Sequence, residues 1–333
     1  MNKDTDEHRY LEKNMENLLE VKDLKTYFYL ERGLAKVIDG ISLEIKKGEF
    51  LALVGESGCG KTMFALSLLN LVPCPGRIVE GEIIFAGENL RKISAEKWQS
   101  FRGKEISIVF QEPLSSLNPV LSIGYQMMEM LRLHLKMDKE EAKEKAKELL
   151  VNVGLPNPEW ILESYPHQLS GGMRQRVLIA MSLSCNPKFL ILDEPTTALD
   201  VTIQAQILNL ILKIKKESQL TALFITHDLA IVEEIADRIA IMYSGKIVEL
   251  SETKELFNNP IHPYTQGLLN CIPILDRPRI FLKTIPGQVP EPLDRPEGCP
   301  FHPRCERKIE RCSEEFPEER KITDTHSVWC YNP

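Results

Sequence analysis

The segment LALVGESGCGKT, residues 51–62, constrains this chain more than any other stretch. An apolar run ends in the frame G-x-x-x-x-G-K-[ST], with Gly55, Gly58, Gly60, Lys61 and Thr62 in place, and the helical run MFALSLLNLV follows. Glycines let consecutive backbone N–H groups turn toward a phosphate, and the helix N-terminus adds its positive dipole. Lys61 reaches the terminal phosphates, and Thr62 offers a hydroxyl to Mg²⁺. A glycine-rich turn without a ligand is the plainer alternative, but the strand before it and the helix after it favour the phosphate reading.

The surrounding chain fits a mostly parallel sheet covered by helices. From LLEVKDLKTYFYL to about Val248, short apolar runs such as EFLALVG and FLILDEP alternate with helical patterns such as IQAQILNLILKIKKE. Between roughly residues 111 and 172 the strand pattern stops. LKMDKEEAKEKAKELLVNVGL is instead a charged helix with apolar positions at Ala142, Ala146, Leu149, Leu150 and Val153, so a helical insertion is expected there. Prolines at 273, 278, 286, 290, 292, 296, 300 and 303 exclude long helices, so residues 259–333 read as a separate irregular piece. Residues 1–17 read as a solvated tail and residues 18–258 as the main domain.

Charge and hydropathy narrow the class. A formal charge of −7 argues against a protein whose main task is to grip nucleic acid. The start has no apolar targeting core, and no run reaches the roughly 18 apolar residues of a spanning helix. The expectation is a cytosolic protein able to dock on a membrane protein. With one nucleotide motif and no internal repeat, chemistry that needs two such units has to find the second on another chain.

FLILDEP places Asp193 and Glu194 at the end of a buried strand. An aspartate there can orient Mg²⁺, and the adjoining glutamate can polarise a water for attack on a γ-phosphate. LSGGMRQR, residues 169–176, lies shortly before it, and Ser170, Gly171 and Gly172 precede a helical pattern, so their N–H groups also suit a phosphate. With Gln111 in VFQEP, Ala198-Leu199-Asp200 and His227 in FITHD, these ordered motifs resemble those of ATP-binding-cassette ATPases over about residues 18–258.

The resemblance implies an α/β P-loop ATPase core with an antiparallel β subdomain and a helical subdomain at about 111–172. A small irregular C-terminal domain with a cysteine cluster would follow. ATP would be bound by Gly55, Glu56, Ser57, Gly58, Cys59, Gly60, Lys61 and Thr62, and its adenine would stack on an early aromatic residue. Among Tyr27, Phe28 and Tyr29 the family spacing favours Phe28, which strand alternation sets on the face opposite the two tyrosines. Thr62, Gln111 and Asp193 would hold Mg²⁺, while Glu194, His227 and Gln111 would serve hydrolysis. Ser170, Gly171, Gly172 and Asp200 would face the ATP of an opposite cassette, so that two cassettes sandwich two nucleotides head to tail. Met173 stands where many members carry glutamine, a change that leaves the backbone donors intact.

QEPLSSLNPV, and NPIHPYTQGLL followed by GCPFHPRC, resemble the ATP-binding subunits of dipeptide and oligopeptide importers. That resemblance implies a second, related ATPase chain, two transmembrane permease subunits and an extracytoplasmic binding protein, with this chain peripheral on the cytoplasmic face of the membrane. Relatives with such a tail also serve nickel and certain sugars. A soluble cassette acting on DNA or the ribosome is the competing class, and the long insertions or doubled cassettes typical of it are missing.

Cys299, Cys305, Cys312 and Cys330 gather at the end, separated by five, six and seventeen residues. A Cys₄ zinc site usually has a tighter C-x₂₋₄-C pair, two disulfides would be uncommon in a reducing compartment, and an iron–sulfur cluster tolerates looser spacing. All three stay open on spacing. The family resemblance implies a [4Fe-4S] cluster, which becomes the leading expectation, fastening a tail with too little apolar surface of its own.

Overall fold

The computed structural model describes residues 16–112, 116–197, 199–271 and 285–333. Most of the expected N-terminal tail, and Ala198, lie outside these residues. The strands are β1 (Asn17–Leu30), β2 (Gly33–Lys46), β3 (Phe50–Val54), β4 (Gly76–Phe85), β5 (Glu88–Asn89), β6 (Ile106–Val109), β7 (Phe189–Asp193), β8 (Thr221–Thr226), β9 (Arg238–Tyr243), β10 (Lys246–Glu252), β11 (Arg320–Lys321) and β12 (Ser327–Val328). The chain divides into two units. One comprises residues 1–51, 55–92 and 237–333, and the other residues 52–54 and 93–236.

In the first unit, β1 pairs antiparallel with β2 and β4, giving the order β2-β1-β4-β5. Val21 lies opposite Leu43 on one side and Ile83 on the other, and all three are buried, so the register places one apolar face inward. A second set of strands in this unit runs in the order β11-β12-β10-β9-β3, with β9, β10, β12 and β11 paired antiparallel. The proline-rich C-terminal segment supplies its outer strands. It also forms a helix, Pro263–Asn270, whose N-cap is His262 and whose first residue is a proline.

In the second unit the order is β3-β8-β7-β6, with β6, β7 and β8 parallel. Every residue of FLILD in β7 and TALFIT in β8 is buried, the signature of strands covered on both faces. Burying each large apolar side chain contributes about 1.5–3 kcal/mol. The helices Ile123–Leu135, Lys139–Asn152 and Pro158–Glu163 occupy the region expected to be helical. The second of them opens on a capping box between Asp138 and Glu141 and buries Ala142, Ala146, Leu149 and Leu150, the stripe read from the sequence.

Parallel register has a direct consequence for chemistry. Val109 pairs with Leu192, and Asp193 pairs with Ile225, so the carboxyl ends of β6, β7 and β8 finish level. Side chains on the residues that follow them therefore converge, as they do in the crevice of open α/β sheets.

Candidate active site

The loop after β3 is shaped by what a side chain would strike. A Cβ at Gly55 would stand 2.2 Å from the carbonyl oxygen of Met242, and one at Gly60 would stand 2.9 Å from that of Val37. Gly58 and Gly60 take φ of +82° and +102°, which favour glycine. Gly60 then caps the helix Lys61–Leu68. The Lys61 ammonium, 5% exposed, folds back over its own loop and donates to the carbonyls of Gly55 at 2.8 Å and Glu56 at 3.1 Å. Thr62 is exposed at the helix start. A cradle with no room for a side chain at Gly55 or Gly60, a lysine within it and a hydroxyl beside it suit a phosphate and its Mg²⁺.

The same loop is gripped by residues from far along the chain. The Glu56 N–H donates to the Tyr264 hydroxyl at 2.9 Å, and the Glu56 carboxylate accepts from Arg304 Nη1 at 2.7 Å and Nη2 at 3.1 Å. Gly245 N–H donates to the Cys59 carbonyl at 2.9 Å. Burial pushes the Cys59 thiol up from its usual range, so it behaves as a packed neutral group.

In the second unit, one carboxylate oxygen collects the strand ends. Glu194 Oε2 accepts from Gln111 Nε2 at 3.1 Å and from Thr197 Oγ1 at 2.9 Å, and it lies 3.2 Å from His227 Nδ1. Gln111 follows β6, Glu194 follows β7 and His227 follows β8. Glu194 has φ of +47°, a conformation that costs about 1–2 kcal/mol for a side-chain-bearing residue, and its N–H is held by the Ile225 carbonyl at 2.9 Å. Asp193, 1% exposed, ends the buried strand.

Ser170 is the N-cap of the helix Gly171–Leu183, its hydroxyl accepting from Met173 N–H at 3.3 Å. Ser170 and Gly171 are exposed, whereas Gly172 is buried, where a Cβ would come within 2.6 Å of Ile203. Asp200 caps the helix Val201–Glu217 by accepting from Ile203 N–H at 3.0 Å. Of the three candidate aromatics, Tyr27 gives its hydroxyl to Asp39, and Phe28 packs against Gly76 and is half-buried. Tyr29 is 53% exposed, with the Arg77 guanidinium over its ring.

The cysteine expectation is corrected. Among the described residues no group of three or more His, Cys, Asp or Glu is placed to hold a metal ion, and Cys299, Cys305, Cys312 and Cys330 are free thiols. The expected [4Fe-4S] cluster is therefore unsupported, and so is zinc. Backbone contacts close this loop instead. Cys299 N–H donates to the Cys312 carbonyl at 2.8 Å, and Gly298 stands so near that carbonyl that a Cβ would reach it at 2.4 Å. Burial pushes Cys299 up to about 12 and Cys330 up to about 11.

The tail is fastened by other means. Phe301, 3% exposed, meets the rings of Tyr243 and Tyr264 at 5.2 and 5.3 Å. Arg295 pairs with Asp39, and buried His326 Nε2 lies 2.7 Å from the Glu249 carboxylate. Sequence reasoning missed Thr197, Tyr264 and Arg304. Thr197 could have been found as a hydroxyl one turn beyond Glu194, whereas nothing local marks the other two.

Comparison with known proteins agrees with this geometry. Residues 38–197 match the family described as ABC transporter, and residues 248–312 match the C-terminal region of oligopeptide/dipeptide transporters. The chain is 47% identical to the oligopeptide transport ATP-binding protein AppD of Bacillus subtilis, over 95% of this chain and 97% of the relative. It is 42% identical to the dipeptide transport ATP-binding protein DppD of Escherichia coli, again over 95% and 97%. Among solved structures it is similar to a post-hydrolysis dimer of an ATP-binding cassette with bound ADP and Pi. That likeness has a TM-score of 0.62 at 27% identity and covers 71% of this chain and 98% of the other.

Proposed function

This chain belongs to the ATP-binding subunits of ABC-type oligopeptide and dipeptide transporters, and on that premise we propose that it powers peptide uptake by hydrolysing ATP. The observation that carries the reading is the convergence of Gln111, Thr197 and His227 on one oxygen of Glu194. Three polar neighbours gather on that carboxylate at the strand ends, where a base acting on a water would stand.

In the reaction, the water oxygen attacks the γ-phosphorus, its proton passes to the Glu194 carboxylate, and the bond to the β-phosphate oxygen breaks to leave ADP and inorganic phosphate. Gln111 orients the water, and His227 donates to a γ-phosphate oxygen. Lys61 exchanges the carbonyls of Gly55 and Glu56 for phosphate oxygens, and the loop amides of residues 55–62 hold the phosphates. Thr62, Asp193 and Gln111 would hold Mg²⁺, which supplies neutralising charge to the phosphates. Phe28 supports the adenine.

The exposed Ser170 and Gly171, with Gly172 and Asp200, contact ATP on a second cassette, a related chain in a head-to-tail pair. Among the described residues no helix is long and apolar enough to cross a membrane, so passage of the peptide falls to two permease subunits supplied by an extracytoplasmic binding protein. The chain then works at the cytoplasmic face.

Reconstitution with such permeases in liposomes, with labelled di- to pentapeptides and an ATP trace, tests the proposal. ATP-dependent peptide uptake that requires this chain is expected. Uptake of nickel or a sugar in place of peptide, or recovery of the chain with ribosomes or DNA and without permeases, would overturn it.

A further inference from the structure

Arg304 lies in GCPFHPRC, a stretch that the hydrolytic chemistry does not use. Its side chain is only 6% exposed, and two of its nitrogens meet the two carboxylate oxygens of Glu56 in a bidentate pair. Nη1 also donates to the Tyr243 hydroxyl at 3.2 Å and Nε to the Pro286 carbonyl at 2.8 Å. The guanidinium carbon lies 5.7 Å from the centre of the Tyr243 ring and 5.9 Å from that of Phe301. Aromatic contacts and hydrogen bonds together leave Arg304 little freedom.

What it holds is part of the phosphate loop. Glu56 follows Gly55 directly, its carbonyl accepts from the Lys61 ammonium, and its N–H is held by Tyr264. Glu56 also puts a carboxylate on a loop built to receive the several negative charges of a nucleoside triphosphate, and like charges at short range disfavour binding. Arg304 neutralises that carboxylate and fixes it in place.

We propose that Arg304 and Tyr264 are positioning residues for ATP. Arg304 cancels and orients the Glu56 carboxylate, Tyr264 holds the Glu56 amide, and the C-terminal segment thereby sets the affinity of the phosphate loop. This rests on residues 55–62 being the phosphate site. Arg304 and Tyr264 then serve the nucleotide site through Glu56.

Calorimetric titration of the purified full chain with ATP and with ADP tests the proposal, alongside steady-state turnover. Arg304→Gln should weaken ATP binding by about tenfold and ADP binding by less, with kcat at saturating ATP within about twofold of wild type. Arg304→Lys should keep part of the affinity. The double variant Glu56→Gln/Arg304→Gln should recover most of it, because the uncompensated carboxylate has gone; a purely structural tie would show no such rescue. Arg307→Gln, which removes an exposed tail cation bonded to Gln266, should bind ATP as wild type does.

Wild-type ATP affinity in Arg304→Gln, or a double variant as weak as the single one, would overturn the proposal. If Arg304→Gln does not fold, Tyr264→Phe decides: ATP binding weakened about threefold supports the proposal, and unchanged binding overturns it. Lys61→Ala separates the two layers. If it leaves ATP binding intact the phosphate site itself is misplaced, whereas if it abolishes binding while Arg304→Gln has no effect, only the present inference fails.

Discussion

The phosphate loop and the strand-end carboxylate are supported in opposite ways. Residues 55–60 are wedged against the carbonyls of Val37 and Met242 and clamped through Glu56 by Tyr264 and Arg304, 208 and 248 positions further on. Glu194 is held by hydrogen bonds from Gln111 and Thr197, with the 56% exposed side chain of His227 close by. A loop wedged at Gly55 and Gly60 and tied at Glu56, with Ser57 and Gly58 exposed, is organised before its ligand arrives. A carboxylate held by bonds worth about 0.5–1.5 kcal/mol each can exchange partners when water and phosphate enter. On the proposed roles, the binding element is thus set by packing and the hydrolytic element is adjustable.

Four substitutions probe that contrast. The largest effect should come from Phe301→Ala, which empties the centre of the aromatic box and should cost about 3–5 kcal/mol in denaturant unfolding. A loss under 1 kcal/mol would show that the tail does not brace the loop. Next, Lys61→Ala should weaken ATP binding by about 10–100-fold in calorimetry while leaving the melting temperature near that of wild type.

Third, burial lowers His262 to about 4 in the folded chain, because the ring is enclosed and its Nδ1 accepts from Tyr264 N–H. The unfolded chain takes up that proton near pH 6.5 and the folded one does not, so stability is greatest above pH 6.5 and falls as pH drops toward 4. The slope from one group is at most about 1.4 kcal/mol per pH unit. His262→Asn keeps an acceptor for the cap and should flatten this part of the melting-temperature profile; an unchanged profile would remove His262 as its source. The smallest effect belongs to Thr197→Val, which deletes one of the bonds to Glu194. It should lower kcat by about two- to tenfold with ATP affinity unchanged, sharpening the distinction between the two elements.

The sequence was most informative where chemistry demands fixed residue types at short spacing. GESGCGKT, DEP and THD each follow an apolar strand, and level parallel strands then bring Gln111, Glu194 and His227 together without further information. The helical insertion was readable because Ala142, Ala146, Leu149 and Leu150 keep the helical period. Arg304 and Glu56 were not readable as a pair, since no periodicity reports a contact spanning 248 positions.

The four cysteines misled because spacing is a weak guide to ligation. Cys299 and Cys312 approach one another through a backbone hydrogen bond and a glycine with φ of +67°, and among the described residues no group is placed to hold a metal ion. The adenine platform divided for a similar reason. Strand alternation separates Phe28 from Tyr27 and Tyr29, but only the fold reveals that Asp39 takes the Tyr27 hydroxyl.

The most direct test of the whole account is paired ATP binding and turnover in Glu194→Gln. The amide keeps the shape of the side chain and removes its ability to take a proton, so ATP should bind about as tightly as in wild type while turnover falls by about 10²–10⁴-fold. Turnover near the wild-type rate would contradict the assignment of Glu194 as the base, and with it the division between a rigid binding loop and an adjustable hydrolytic centre.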